Sequence, residues 1–280
     1  MADRKSAEIP QTSDKRQYHT SVAPGDVAPY ILLCGDPARA YKVAELFDEA
    51  RKPITHREYV TITGRYKGVD VTVMATGMGP DNTEMAVIEI SQIMQSPTFL
   101  RIGTCGGLQK HIAAGDLVIS KGAVRMEDTS TAYVYEGYPA LAHHEVILAM
   151  LQAAKDVGAK HHLGVTATAS GFYGKQGRST DIFKARDPEL PAKLDQMNVA
   201  NLEMESSCLF TLSTYANFRA GAVCAVVANR HANTFISDDE MATAVMNCCK
   251  TGLRAIEILA KMDSAKKDSA CWLPTMGLKE

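Results

Sequence analysis

The chain has 280 residues, a formal net charge of −2 and a hydrophobic fraction of 46%. A chain of this length can bury a substantial core, and because no linker interrupts the sequence, one domain is the simpler expectation. Lysine and arginine are spread along the sequence, so it has no basic patch typical of nucleic-acid-binding proteins. No apolar run approaches the roughly 20 residues that span a bilayer, and the first 16 residues lack the apolar core of a signal peptide. The sequence therefore predicts no nucleic-acid or membrane partner.

The seven cysteines are odd in number and form no C-x-x-C pair. This usage favours reduced thiols in a cytosol-like compartment over a disulfide framework or a zinc site. We therefore expect a cytoplasmic protein with no metal centre.

Strand and helix patterns alternate along the chain. In chain order the sequence predicts a strand at 30–34, a helix from Ala40, a hairpin of 59–63 and 69–75, a helix over 86–94, strands at 98–102 and 117–119, a helix from Ile147 ending near Gly158, a strand at 165–167, a helix with Leu209 and Leu212, a strand at 222–227, and a helix from Asp238 to Lys261. This alternation predicts a three-layer α/β/α sandwich with a central mixed sheet. We expect one domain, 18–262, between polar and flexible tails, 1–17 and 263–280.

Two glycine-bearing segments with an adjacent arginine follow short apolar runs, and we interpret both as strand exits. The first is Gly35-Asp36-Pro37-Ala38-Arg39, and the second is Arg101-Ile102-Gly103-Thr104-Cys105-Gly106-Gly107. Glycine lets backbone N–H groups approach a phosphate closely, and arginine adds a fork of donors matched to its oxygens. Together the segments predict an anion pocket, although each alone would equally fit a tight strand-to-helix turn with a solvated arginine.

Two later segments carry an amide, a guanidinium and a pair of carboxylates. They are Phe172-Tyr173-Gly174-Lys175-Gln176-Gly177-Arg178 and Asn201-Leu202-Glu203-Met204-Glu205-Ser206. In this order with the two glycine segments, and with Asn229-Arg230 following, they resemble the uridine phosphorylase branch of the nucleoside phosphorylase family. The resemblance extends from about His19 to about Lys261.

For phosphate, the resemblance implies binding by Gly35, Arg39, Arg101 and Thr104 of one subunit and by Arg57 of a neighbour. Several arginines around one dianion make physical sense, because a buried phosphate without charged partners would be strongly disfavoured. Without the resemblance, Arg57 would be interpreted as an ordinary exposed cation near the start of a strand.

For ribose, the resemblance implies that Glu205 binds the 2′ and 3′ hydroxyls, with Met204 against the sugar and Glu203 nearby. A carboxylate accepts two hydroxyl donors and favours the positive charge that develops on the ring as a glycosidic bond breaks. An alternative for either carboxylate is a cap at the start of the following helix. His19 resembles the family's contact to the 5′ hydroxyl, donated across a subunit interface.

For the base, Gln176 offers an acceptor and a donor that complement the N3–H and a carbonyl of uracil, and Arg178 supplies a donor to the other carbonyl. Phe172 is expected to stack on the ring, and Arg230 to reach it through water. Purine-specific relatives carry an aspartate near the point where this chain has Val227-Ala228-Asn229-Arg230. Alternatively, the Gln176 segment is a solvated loop and Arg230 a surface residue.

The resemblance implies phosphorolysis of uridine, and of some 2′-deoxyuridine-type nucleosides, to uracil and ribose 1-phosphate. Phosphate is then a co-substrate, no other cofactor is needed, and the protein is a homo-oligomer, a dimer or three dimers in a ring, with shared active sites. The alternatives are a purine nucleoside phosphorylase or nucleosidase of the same fold, and a non-catalytic nucleoside-binding homologue.

Two other patterns suggest chemistry that we do not expect. Cys105 beside glycines suggests a cysteine hydrolase, but no histidine partner is identifiable, and a bound phosphate would repel a thiolate. The doublets His143-His144 and His161-His162 suggest a metal, yet adjacent side chains point in different directions and no third ligand has a recognisable spacing. We expect packing roles for all of these residues.

Overall fold

The computed structural model describes residues 6–267 and 269–277. The strands are β1 (Tyr30–Cys34), β2 (Glu49–Ala50), β3 (Ile54–His56), β4 (Tyr59–Tyr66), β5 (Val69–Ala75), β6 (Thr98–Gly107), β7 (Leu117–Met126), β8 (Ala140–Leu141), β9 (His161–Ala169), β10 (Val199–Glu203), β11 (Arg219–Asn229) and β12 (Thr234–Phe235). The α-helices are α1 (Pro37–Ala44), α2 (Pro80–Ser91), α3 (His144–Val157), α4 (Leu190–Gln196), α5 (Ser206–Tyr215) and α6 (Asp238–Lys266). Within the described ranges, no helix is both long enough and apolar enough to cross a membrane.

Local sequence signals account for several of these boundaries. Helix α1 begins with Pro37, whose fixed backbone suits a first helical position, and the carboxylate of Asp36 accepts a hydrogen bond from the Ala38 N–H at 2.9 Å. The β4–β5 hairpin turns at Lys67 and Gly68, which have φ angles of 48° and 79°. Because glycine adopts such left-handed angles at little cost, the predicted hairpin forms at this point.

The sheet is mixed and has helices on both faces. Helices α1, α3 and α6 pack on one face, where Val43, Met150 and Ile256 are fully buried. Helices α2 and α5 cover the other face through residues that include Ile90 and Leu209. The predicted three-layer sandwich with a central mixed sheet is therefore confirmed.

Part of the sheet closes on itself around β6. This strand pairs in parallel with β1 and β11, and its last two residues pair antiparallel with β10. Since β10 pairs with β9, β9 with β7 and β7 with β11, five strands form a ring. The prediction that the Arg101 segment is a strand exit is wrong. Pairing with β11 keeps it extended to Gly107, so Arg101 lies inside a strand.

Helix α6 continues to Lys266, past the predicted end at Lys261 and the predicted domain boundary at 262. Its last turn joins an ion cluster at the end of the sheet where β11 begins. Arg219 donates to Asp263 at 2.7 Å and to Glu145 at 2.9 Å, and Lys266 lies 3.0 Å from Glu145. The residues just after 262 are therefore held by charge pairs, which a polar composition alone does not reveal.

This ion cluster predicts a loss of stability in acid. Burial alone would raise the pKa of Glu145, but hydrogen bonds from the Trp272 N–H, Lys266 and Arg219 outweigh it and lower the pKa to about 2. Asp263 likewise has a pKa of about 2, because its bonds to Arg219, Tyr30 and Lys266 outweigh burial. Carboxylates with a lowered folded-state pKa stabilise the fold above their unfolded pKa, near 4, and lose that contribution as pH falls toward 2.

We expect Arg219→Met to reduce the free energy of unfolding at pH 7 by about 3 kcal/mol, since it removes the main partner of Asp263 and leaves Glu145 with Lys266 as its one charged partner among the described residues. The variant should also lose less stability than the unmodified protein between pH 5 and pH 2. Urea unfolding at several pH values and fixed protein concentration measures both effects. The matched control is Arg65→Met, whose partners Asp70 and Glu49 are exposed, and it should cost less than about 1 kcal/mol. Equal losses for the two variants would contradict the assignment.

Candidate active site

A cavity of about 470 Å³ lies where β1, β5, β9 and β10 end. Residues from the middle and the last part of β6 also line it. This volume is typical of a small-molecule site, and the carboxyl ends of strands in α/β sheets are common places for one. Ten of the thirteen site residues predicted from the sequence line this cavity: Gly35, Arg39, Arg101, Thr104, Phe172, Gln176, Arg178, Glu203, Met204 and Glu205.

One end of the cavity suits an anion. The turns after β1 and β5 approach closely, since a Cβ on Gly35 would lie 3.2 Å from the carbonyl oxygen of Gly77. Arg39 donates from Nη1 to the carbonyl of Ile102 at 3.1 Å, while its buried Nε has no partner among the residues described by the structure. Buried donors are normally satisfied, so an unpaired guanidinium nitrogen in a cavity favours an anionic ligand.

Arg101 lies between two carboxylates at the centre of the cavity. Its Nε donates to Glu203 at 3.1 Å, and its Nη2 contacts Glu205. All three side chains are more than nine-tenths buried. Burial would lower the pKa of Arg101, but the charges of Glu205 and Glu203 outweigh it and raise the pKa, so the guanidinium stays charged. Two buried carboxylates thus share one arginine.

The two carboxylates have different structural roles. Glu203 accepts the backbone N–H groups of Glu205 at 2.9 Å and Ser206 at 3.0 Å, so it satisfies the start of α5. The hydroxyl of Thr168 donates to its other oxygen at 2.5 Å. Glu205 makes no capping bond to α5 and instead accepts the Gly79 N–H at 2.7 Å. The helix-cap alternative therefore describes Glu203, and the side chain of Glu205 is available to the cavity.

Burial raises the pKa of Glu205, and the charge of Glu203 adds to this effect against the attraction of Arg101. The Gly79 N–H also favours the charged form. A carboxylate under such opposing influences is sensitive to any new charge in the cavity, as is common at functional sites.

The guanidinium of Arg101 occupies the space where the side chain of any residue larger than glycine at position 103 would lie. Residues 101 and 103 are two apart on β6, so their side-chain directions face the same side of the sheet. A Cβ at Gly103 would lie 2.8 Å from Nη2 of Arg101 and 2.9 Å from Sγ of Cys224. The strand can therefore carry this arginine along its surface because residue 103 has no side chain.

The other end of the cavity is formed by the segment that follows β9. Gln176 is 3% exposed, and its Oε1 accepts a hydrogen bond from Arg178 at 2.7 Å. The guanidinium of Arg178 lies over the ring of Phe172, with 3.9 Å between Cζ and the ring centroid. Burial and the nearby charge of Arg230 lower the pKa of Arg178 to about 10. Gln176 and Arg178 are thus held against each other at the wall of the cavity, so the solvated-loop interpretation does not describe these two side chains. Phe172 and Lys175 of the same segment, by contrast, are exposed.

Three predicted residues lie outside this cavity. Arg230 lines an adjacent cavity of about 300 Å³, and its buried Nη1 has no partner in the described part of the chain. His19 contacts Glu89 of α2, and Arg57 lies over the ring of Tyr18 at 5.1 Å. Because His19 and Arg57 lie outside the cavity of their own chain, their predicted roles would require a second subunit. These roles stay predictions.

The sequence predicts no catalytic or metal-binding role for Cys105 and the histidine doublets. Cys105 is 4% exposed, and burial raises the pKa of its thiol, which disfavours a nucleophilic thiolate. His143 accepts the Glu145 N–H at the start of α3, and His162 lies 2.8 Å from Asp116. In residues 6–267 and 269–277, no three His, Cys, Asp or Glu side chains are grouped as metal ligands would be.

Sequence reasoning missed the turn after β5, which supplies Gly77 and Met78 to the cavity and the Gly79 N–H to Glu205. The signal was present: the strand 69–75 ends in the apolar residues Val73, Met74 and Ala75, and Gly77 and Gly79 follow it as Gly35 follows β1. Thr168, by contrast, is an ordinary strand residue in the sequence, and only the fold reveals its contact with Glu203.

Known proteins resemble this chain over nearly its full length. The sequence profile of the Phosphorylase superfamily matches residues 29–261. The uridine phosphorylase of Thermococcus kodakarensis is 44% identical over 275 residues, which are 97% of each protein. The uridine phosphorylase of Treponema pallidum is 35% identical over 250 residues, covering 89% of this chain and 96% of that relative.

A similar solved structure is a nucleoside phosphorylase of Trypanosoma brucei that is described as showing uridine phosphorylase activity. It matches with a TM-score of 0.83 at 26% identity, and the match covers 89% of this chain and 99% of that one. The profile match, the two relatives and this structure agree with the resemblance carried by the motifs. The chain belongs to the phosphorylase superfamily, in its nucleoside phosphorylase family.

Proposed function

We propose that this chain catalyses the reversible phosphorolysis of uridine to uracil and ribose 1-phosphate. The observation that carries the proposal is the buried cluster of Arg101, Glu203 and Glu205 between an anion-binding end and a polar amide–guanidinium end of one cavity. In this arrangement phosphate would bind at the first end, ribose at the central cluster and the planar base at the other end. The relatives described above, which are named uridine phosphorylases, support the same activity.

In the proposed reaction a phosphate oxygen attacks C1′ of ribose, the glycosidic bond breaks, and uracil leaves with the electron pair. Arg39, Arg101, Thr104 and the turn at Gly35 hold the phosphate in line, and Glu205 stabilises positive charge that develops on the sugar. Arg101 contacts Glu205 directly, so one side chain links the phosphate position to the sugar position.

The base end favours a pyrimidine. A purine phosphorylase needs a proton donor near N7, and the corresponding part of this chain carries Asn229. Its side chain accepts the Ala232 N–H at 2.7 Å and donates to the Ile112 carbonyl at 2.8 Å, so the amide is occupied by the backbone. Gln176 and Arg178 instead supply donors to an anionic uracil, which can leave without a general acid.

We further propose that the protein acts as a cytoplasmic homo-oligomer built from dimers, that it uses phosphate as co-substrate and that it needs no other cofactor. Arg57 and His19 lie outside the cavity of their own chain, and the family resemblance assigns them to the neighbouring site. An active site shared in this way requires at least two subunits. Arg230, beside Arg178, would act on the base through water.

Uridine cleavage is expected to require phosphate and to yield ribose 1-phosphate, because the buried Nε of Arg39 would otherwise have no partner in the cavity. Product analysis with uridine, thymidine and inosine, each with and without phosphate, tests this. The expected result is phosphate-dependent release of uracil, with inosine the poorer substrate. Equal cleavage rates in phosphate-free buffer would show a nucleosidase, and no turnover of any nucleoside would indicate a binding protein.

A further inference from the structure

A buried carboxylate on α2 organises the segment that contains His19. Glu89 of α2 is buried, with 5% of its surface exposed. Its Oε1 accepts the His19 N–H and faces Nδ1 of the same residue, both at 2.8 Å. Its Oε2 accepts the N–H and the hydroxyl of Thr20, both at 2.7 Å. Both oxygens of one carboxylate are thus used to fix two consecutive residues.

This arrangement determines where the proton of the His19 ring lies. A carboxylate only accepts hydrogen bonds, so the nitrogen that faces Glu89 must carry a proton. In the neutral imidazole, Nε2 is then an acceptor with a lone pair. The ring is 28% exposed, which leaves room for a ligand to meet it.

The same segment is joined to the turn that carries Arg57. The Nδ1 of His56 lies 2.8 Å from the carbonyl oxygen of His19, and Arg57 lies over the ring of the preceding residue, Tyr18. The residues that we assign to the neighbouring active site therefore form one unit, and Glu89 attaches this unit to α2. A shift of the carboxylate would be transmitted to the whole unit.

We infer that Glu89 is a positioning residue that fixes His19 with Nδ1 protonated, so that Nε2 accepts the 5′ hydroxyl of the nucleoside bound by the neighbouring subunit. The inference rests on the proposed function, which supplies the nucleoside. Glu89 touches no substrate itself, and it acts through the orientation and tautomer of His19. This role resembles that of the carboxylates that orient histidines at other active sites.

Glutamine is the informative replacement at position 89. It keeps the size of the side chain but places an NH₂ group against at least one backbone N–H, so the bonds to His19 and Thr20 cannot all survive. We expect Glu89→Gln to lower kcat/KM for uridine about tenfold and to change kcat/KM for 5′-deoxyuridine less than twofold. The preference for the 5′-hydroxylated substrate should therefore nearly disappear.

The matched control is Thr20→Val, which removes one hydrogen bond to Oε2 and leaves both bonds to His19 in place. It should retain the preference for uridine over 5′-deoxyuridine. A purely structural role for Glu89 would lower the melting temperature and reduce activity on both substrates equally. That result, or an unchanged preference in Glu89→Gln, would overturn the inference, and so would an unmodified enzyme with no preference.

A measurement on the unmodified protein decides the tautomer independently of activity. In ¹⁵N-histidine-labelled protein at about pH 8.5, where imidazole is mostly neutral, the His19 ring should show a protonated Nδ1 and an unprotonated Nε2. Loss of the signal in His19→Asn assigns it. A proton on Nε2 alone would overturn the inference. Failure of the proposed function would appear differently, as absence of phosphate-dependent uridine cleavage with the His19 tautomer as described.

Discussion

Replacing Glu205 by glutamine is expected to lower kcat for uridine phosphorolysis by about 10²–10³-fold and to lower the melting temperature less than the same change at Glu203 does. The amide keeps the shape of the side chain but removes the charge that would stabilise an oxocarbenium-like ribose. The loss of stability should be smaller than at Glu203, because Glu205 makes no capping bond to α5 and Arg101 keeps its bond to Glu203. The new amide NH₂ then meets one donor, either the Gly79 N–H or Arg101. Steady-state kinetics and thermal unfolding of the same preparation measure both effects.

Glu203→Gln is the matched control, since the two residues are two positions apart and contact the same arginine. Glu203 accepts two backbone N–H groups and the Thr168 hydroxyl, and an amide would turn a donor toward at least one of them. We expect this variant to lose about 1–3 kcal/mol of stability. If Glu205→Gln instead unfolds early and retains full activity per folded molecule, the roles of the two carboxylates are reversed.

Two inactive variants are expected to restore activity to each other when their subunits mix. Arg39→Ala removes a cavity arginine from one chain, and Arg57→Ala removes the arginine that we assign to the neighbouring site. Each homo-oligomer should lose about 10²-fold in kcat/KM, because a phosphate arginine stabilises the transition state. In a mixed dimer one site lacks both arginines and the other lacks neither. Random mixing should therefore restore about a quarter of the unmodified activity.

Arg39 is a better partner in this experiment than Arg101, whose loss would leave two buried carboxylates without a counter-charge. Differently tagged subunits show whether mixed oligomers have formed. The control mixes two differently tagged Arg39→Ala subunits, which should stay inactive. If Arg39→Ala and Arg57→Ala chains copurify and no activity returns, Arg57 has no role in a neighbouring site.

The fold was predictable where the signal is local. The apolar run before Gly35, the hairpin around Gly68 and the periodicity of α6 each determine an element from a few neighbouring residues, and the structure has all three. Alternation of such elements was enough for the layers of the sandwich. The four segments that carry the ten correctly predicted cavity residues were recognisable because they combine glycine, arginine, amide and carboxylate groups in an unusual order.

What the sequence did not reveal depends on distant partners. The Arg101 segment has glycines typical of a turn, yet pairing with β11, more than 100 positions away, keeps it extended. Glu89 lies in a helix, where a glutamate would normally face solvent. In the structure it is buried, and its partner His19 is 70 positions away. Such residues are determined by tertiary contacts, which override local propensity.

Because Gly103 has no side chain, the guanidinium of Arg101 and the thiol of Cys224 can both lie close to this position. Any larger residue there would have to displace both the guanidinium of Arg101 and the thiol of Cys224, since Nη2 and Sγ each lie within 3 Å of where a Cβ would stand. A substitution at position 103 would therefore disturb the charge cluster around Arg101 and the packing of β6 against β11 together.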